Sequence, residues 1–169
     1  MGLVPLSEHS INGWLVSENQ HDIDVRSFKI PGSIRSVRVN ADAAPILLYV
    51  ANRFHRLVAN LDKPPLAVWG YMYRQARVSP VWSDHASGTA IDLRSDKFPI
   101  GARNMTPKQR LAVRAILRAC NGLVIWGGDY KNDAQADEMH FAIAPHVTKS
   151  DIKAWQIRRG IHDNGTKRT

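Results

Sequence analysis

Cysteine is nearly missing from this chain: Cys120 is the only one in 169 residues. That excludes an intramolecular disulfide and a cysteine-built zinc knuckle, so any metal would have to be held by histidines and carboxylates. Long apolar runs are missing as well. Stretches such as 45–50 and 123–126 fall far short of the roughly 18 to 20 residues a membrane span needs, and no membrane insertion is expected. The first fifteen residues contain Glu8 and His9 but no basic n-region, which predicts that there is no conventional signal peptide. A P-loop, a GxGxxG turn, a zinc-finger pattern and an RNP-like aromatic motif are all lacking. Acidic residues are few: 15 Asp+Glu face 23 Lys+Arg, for a formal charge of +8. Such a surface suits a polyanion, whether nucleic acid, anionic lipid or an acidic cell wall. With charge as its only support, a specific nucleic-acid partner is not expected.

The length fits one domain, large enough to bury a core without crosslinks. Residues 1–27 mix polar and apolar positions without periodicity and read as a loosely packed lead-in. The pattern over 28–39 is strand, Pro31-Gly32 turn, strand. A helix is predicted over about 42–60, with Leu47, Val50, Phe54, Leu57, Val58 and Leu61 forming a buried stripe and Pro45 in its first turn. Lys63-Pro64-Pro65 breaks the chain before a strand at 66–71, and 74–88 is too rich in Ser, Pro, Asp and Gly for regular structure. A short strand at 89–93 precedes Thr106-Pro107, the N-cap and first position of a helix running to 120. That helix buries Val113, Ile116, Leu117 and Cys120 and carries a basic stripe of Arg110, Arg114 and Arg118. Strands at 123–126 and 139–143 follow, then a helix from Thr148 to about Arg159 with a capping-box start and Gly160 as its stop. The sum is an α+β domain over 28–160, a small, mainly antiparallel sheet flanked by helices, with a tail at 161–169.

Of seven histidines, His85 and His140 stand out because carboxylates lie at informative spacing. His85 belongs to a loop, and Asp92 sits in the apolar run Ala90-Ile91-Asp92-Leu93, with Gly88 between them allowing a tight turn. A buried carboxylate needs a cation, a metal or several donors. Two readings therefore stand at Asp92: a metal ligand, or an ion pair with Arg94 or Arg74. Downstream, His140 opens an apolar strand and Asp137 lies three residues before it. Histidine and carboxylate ligands beside one free carboxylate are what a catalytic zinc site requires. The alternative is that Asp137 and Glu138 simply solvate a turn.

The frame Ser83-x-His85-x2-Gly88-x-Ala90-x-Asp92, followed in order by Asp137-x2-His140-Phe141, resembles the family of D-Ala-D-Ala carboxypeptidases and L-alanyl-D-glutamate endopeptidases. Those zinc peptidases cleave peptidoglycan and share a fold with the hedgehog signalling domain. The likeness covers roughly 28–145. Ile30-Pro31-Gly32, Trp69-Gly70-Tyr71 and Trp126-Gly127-Gly128-Asp129 most resemble peptidase modules of endolysins from phages of actinobacteria. The resemblance implies zinc held by His85, Asp92 and His140, and Asp137 as general base. It also implies an oxyanion-stabilising arginine after a Gly-Tyr element, here Arg74 with Arg77 in reserve. Trp82, Ser83 and Tyr73 are expected in the substrate groove; Trp69 and Trp126 read as packing. The implied target is the L-Ala–D-Glu bond of bacterial peptidoglycan, reached from the host cytoplasm once the membrane is breached and cut by a monomer. The alternatives are a D-Ala-D-Ala carboxypeptidase and a non-catalytic, zinc-stabilised wall-binding module.

Overall fold

In a computed structural model of the chain, the described residues are 8–63, 68–77 and 80–161. The first regular element is an antiparallel hairpin of β1 (Val25–Lys29) and β2 (Ser36–Asn40), in which Phe28 pairs with Val37. It starts three residues earlier than the sequence pattern predicts. The turn at Pro31-Gly32 takes φ +80° at Gly32, and the Asn52 amide donates to the Pro31 carbonyl at 2.6 Å. Asn52 belongs to α1 (Ala44–Leu57), so the hairpin is tied to the helix it covers.

Every residue of α1 from Ala44 to Ala51 is buried, and Phe54 with them. The expected single stripe is thus an underestimate, because α1 packs on α2 (Pro107–Ala119), α3 (Lys149–Arg159) and the larger sheet as well. Leu57 departs from the expectation the other way: at the end of α1 it is 44% exposed. The two later helices begin with reciprocal caps, Thr106 with Gln109 and Thr148 with Asp151, and α3 stops at left-handed Gly160.

The larger sheet is fully antiparallel, ordered β3 (Val68–Trp69), β4 (Ala90–Leu93), β6 (His140–Ile143), β5 (Val124–Trp126). The fold is therefore α+β, with a separate two-stranded hairpin beside this sheet. Register decides what the sheet presents. Ile91 pairs with Phe141, and both point into the core, where Phe141 meets Phe54 edge-on at 5.9 Å between centroids. One position on, Asp92 pairs with His140, which the two-residue period turns to the opposite face.

Residues 8–24 are mostly loop, as their lack of periodicity implies, yet Ser10, Asn12 and Ile23 are buried and Trp14 packs on the core. Hydrogen bonds of Ser10 and Asn12 help to hold this segment alongside those scattered apolar contacts, so periodicity could not reveal its packing. Cys120 is buried in the core. Residues 1–7 of the expected lead-in, 66–67 of the expected strand, Pro64-Pro65 and the tail at 162–169 lie outside the described residues. Among the described residues no helix is long and apolar enough to cross a membrane.

Candidate metal centre

His85 sits in a single 3₁₀ turn, Asp84–Ser87. Ser83 caps it by accepting the His85 N–H, and Gly88 ends it at φ +71°. Gly88 also touches the hairpin: a Cβ there would come within 2.7 Å of both the Asn40 nitrogen and Val25 Cγ2. Only glycine satisfies both the left-handed backbone and the close approach. On the other side, His85 Nδ1 lies 2.8 Å from the Gly70 carbonyl oxygen, which can only accept. The proton is therefore on Nδ1, and the Nε2 lone pair points away from Gly70.

What Nε2 faces is another acceptor. Asp92 Oδ1 is 3.2 Å away, but out of line for a hydrogen bond, and Nε2 is buried without any hydrogen-bond partner. The same carboxylate oxygen is 2.9 Å from His140 Nδ1. Burial opposes ionisation of Asp92, but the two imidazoles outweigh it and hold the carboxyl well below the usual range. His140 is conversely raised: burial disfavours its charge, and the bond to Asp92 overcomes that. One ligand atom from each of His85, Asp92 and His140 lies within 4.8 Å of the other two. A carboxylate oxygen set against an orphaned imidazole lone pair fits a bound cation between them better than the two acceptors fit each other. The ion pairs considered for Asp92 do not form; Arg94 instead grips Asp96, with Nε–Oδ1 at 2.7 Å.

Asp137 is fixed from two sides. Its N–H donates to the Gly127 carbonyl at 3.0 Å, and a Cβ on Gly127 would sit 2.4 Å from the Asp137 carbonyl oxygen. Opposite, Gly101 N–H donates to the Ala136 carbonyl at 2.7 Å, and Ala102 bridges to Asp137. So held, Asp137 buries Oδ1 without a hydrogen-bond partner. Burial pushes the carboxyl up to about 6, with Asp92 adding to the rise and His140, His85 and Arg77 opposing it. A carboxyl poised there exchanges protons readily near neutral pH. Glu138 does not solvate a turn. It is buried and accepts the Met105 N–H at 2.8 Å.

His85, His140 and Asp137 share a cleft of about 270 Å³ with Arg74, Arg77 and Tyr130. A larger cavity of about 630 Å³ lies between the N-terminal segment and the start of α3, away from this cluster. Both candidate arginines face the cleft; the Arg74 guanidinium donates to the neighbouring Gln75 carbonyl at 3.3 Å, and Arg77 acts on Asp137. Ser83 lines the cleft, while Tyr73 and Trp82 stack on each other, their centroids 4.4 Å apart. Trp126 is buried, but Trp69 is 39% exposed at the end of β3. Like Ile11, Ile100 and Gln135, Tyr130 is a cleft residue that sequence reasoning missed. Its loop is clamped by Arg103, which donates to Asp133 and to the Gly128 and Tyr130 carbonyls. Burial, with the charges of Asp84, Asp137 and Asp92, pushes its phenol up to about 12, which keeps the hydroxyl a neutral donor. Only its place after Gly127-Gly128-Asp129 could have flagged it.

These features bring together three side chains that could hold a metal ion, with a free carboxyl beside them in a cleft. A peptidase family model described as D-alanyl-D-alanine carboxypeptidase matches residues 76–143, less than half of the chain. The matched span contains His85, Asp92, Asp137, His140 and Arg77 and begins two residues after Arg74. The match supports a peptidase. No curated protein and no solved structure matches the chain.

Proposed function

We propose that this chain is a zinc-dependent peptidoglycan peptidase that hydrolyses a stem-peptide bond, namely L-Ala–D-Glu. The observation that carries the reading is a cleft lined by His85, His140 and Asp137, where His85 Nε2 is orphaned, one Asp137 oxygen is unpartnered and Asp92 lies within ligand reach of both histidines. His85, Asp92 and His140 would hold the ion. Zinc in such a site supplies Lewis acidity and a water that ionises near pH 7, at a pKa of about 7. Asp137 takes the proton of the attacking water and hands it to the departing nitrogen, a transfer its raised carboxyl suits. Arg74 or Arg77 offers a guanidinium to the oxygen that gains charge, and Tyr130 a neutral hydroxyl to the substrate. Ser83, Tyr73 and Trp82 guide the peptide past the cleft.

The likeness of several short motifs to phage endolysin modules supports an internal cut, and the charge of +8 suits an anionic wall reached after membrane breach. A monomer suffices, since one chain supplies every residue named. The carboxypeptidase alternative draws on the matching family model, which describes D-alanyl-D-alanine carboxypeptidases. Mass spectrometry of peptidoglycan digested by zinc-loaded protein, with Asp137→Ala as control, separates the readings. New N-terminal D-Glu or D-isoglutamine, absent with the variant, is the expected result. Loss of a single D-Ala would assign the carboxypeptidase instead. No change with zinc bound would sink the enzyme and leave the wall-binding module.

A further inference from the structure

Outside the cleft, a buried polar cluster lies against the turn that bears His85, and it is organised by one residue of the N-terminal segment. Asn12 is 2% exposed and its backbone N–H donates to Asp84 Oδ1 at 2.9 Å. Its side-chain Nδ2 donates to Thr89 Oγ1 at 2.8 Å and to the Ile143 carbonyl at 3.0 Å. Because a carbonyl can only accept, the bond to Ile143 fixes which way the amide faces. Its oxygen then accepts Ser10 Oγ at 2.8 Å, and the same hydroxyl lies 2.9 Å from Ser87 Oγ. Ser87 and Thr89 close the ring at 2.7 Å.

The partners of Asn12 are distributed in a telling way. Asp84 precedes His85 in its turn, Thr89 leads into β4 three residues before Asp92, and Ile143 ends β6 three residues after His140. One asparagine thus ties together the three segments that bear the three candidate ligands, two of them strands and one an irregular turn. The turn most needs such support: a 3₁₀ turn of four residues has little rigidity of its own.

We propose that Asn12 is a positioning residue for the metal site, setting the spacing of His85 against Asp92 and His140 without touching the ion. The inference rests on the metal reading above. It predicts that loss of the Nδ2 donor loosens metal affinity out of proportion to any loss of stability, since partners that orient ligands typically contribute about 10- to 100-fold to affinity. Trp14 supplies the comparison. It belongs to the same segment and its indole donates to the Val147 carbonyl at 2.9 Å, but it contacts none of the ligand-bearing turns through that bond.

The test is a zinc titration of the full chain against a chromophoric chelator, with thermal melts of the metal-free proteins alongside. Asn12→Asp keeps the backbone bond to Asp84 and removes both side-chain donors. Its zinc affinity is expected to fall about 10- to 100-fold, while Trp14→Phe lowers Tm yet stays within about twofold of the parent. Equal weakening by both variants would overturn the proposal in favour of general stability, and so would an Asn12→Asp affinity within twofold of the parent. If Asn12→Asp does not fold, Ser10→Ala decides: a several-fold weakening supports the positioning role, and an unchanged affinity overturns it. His85→Ala in the same titration isolates the underlying reading, because a parent chain that binds no more tightly than this variant has no metal site at all.

Discussion

Asp137 lies on the cleft wall with one carboxylate oxygen buried and unpartnered, whereas its neighbour Glu138, only 1% exposed, accepts the Met105 N–H and lies 3.7 Å from Arg110. Each carries a buried carboxylate oxygen, although Asp137 as a whole is only half-buried, and both lie in the same short turn before β6. Glu138 fastens the 94–105 loop to α2, and its backbone carbonyl accepts the Trp126 indole at 2.8 Å. Burial therefore does not by itself distinguish a reactive carboxyl from a strut. The distinction lies in whether the fold supplies the donors that an ionised carboxylate needs.

The comparison can be broken most directly by activity. Asp137→Asn is expected to lower kcat by about 10²- to 10⁴-fold in a zinc-loaded wall-digestion assay. Glu138→Gln, read in the same assay, should stay within a few-fold; parity between the two would erase the difference drawn here. Stability should give the opposite ranking. Glu138→Ala strands the Met105 N–H and is expected to cost about 1–3 kcal/mol in urea unfolding, against little or no loss for Asp137→Ala.

A pH series on the metal-free protein sharpens the same contrast. The folded carboxyl of Asp137 is raised to about 6, above its unfolded value, so ionising it opposes folding and stability is lost as pH rises towards and through 6. Asp137→Asn should remove that decline and be the more stable protein at pH 7, by no more than about 1 kcal/mol once its partial exposure is allowed for. An unchanged slope between pH 4 and 7 would place the proton elsewhere. The smallest effect is expected at Tyr130, where Phe removes one neutral donor and should raise KM a few-fold with the fold intact, as checked by steady-state kinetics and a melt.

Much of the candidate site is legible as polar residues where apolar ones belong: Asp92 within Ala90–Leu93 and His140 at the head of His140–Ile143. Strand periodicity also explains why Ile91 and Phe141 go inward while Asp92 and His140 turn to the opposite face. Other features left no such trace. Periodicity reports one face of a helix, so it caught Leu47, Val50 and Phe54 but could not show that α1 is wrapped on several sides, nor that Leu57 escapes. Glu138 beside Asp137 has the composition of a solvated turn, and only the return of the 94–105 loop buries it. Asn12 lies in an aperiodic polar stretch of the kind that usually marks a surface loop, and its partners Asp84, Thr89 and Ile143 are 72 to 131 residues away. Pairings of that separation carry no local signature.

Cys120, on the inner face of α2's end, is buried, and its thiol is pushed up to about 12 by that burial. The thiolate, not the thiol, attacks alkylating reagents, so the natural chain is silent to maleimide chemistry at neutral pH. A cysteine introduced at an exposed position such as Leu111 or Ile157 would then be the single reactive thiol. The wild-type background is thus ready for site-specific fluorophore or spin-label attachment without first removing a native cysteine from the core.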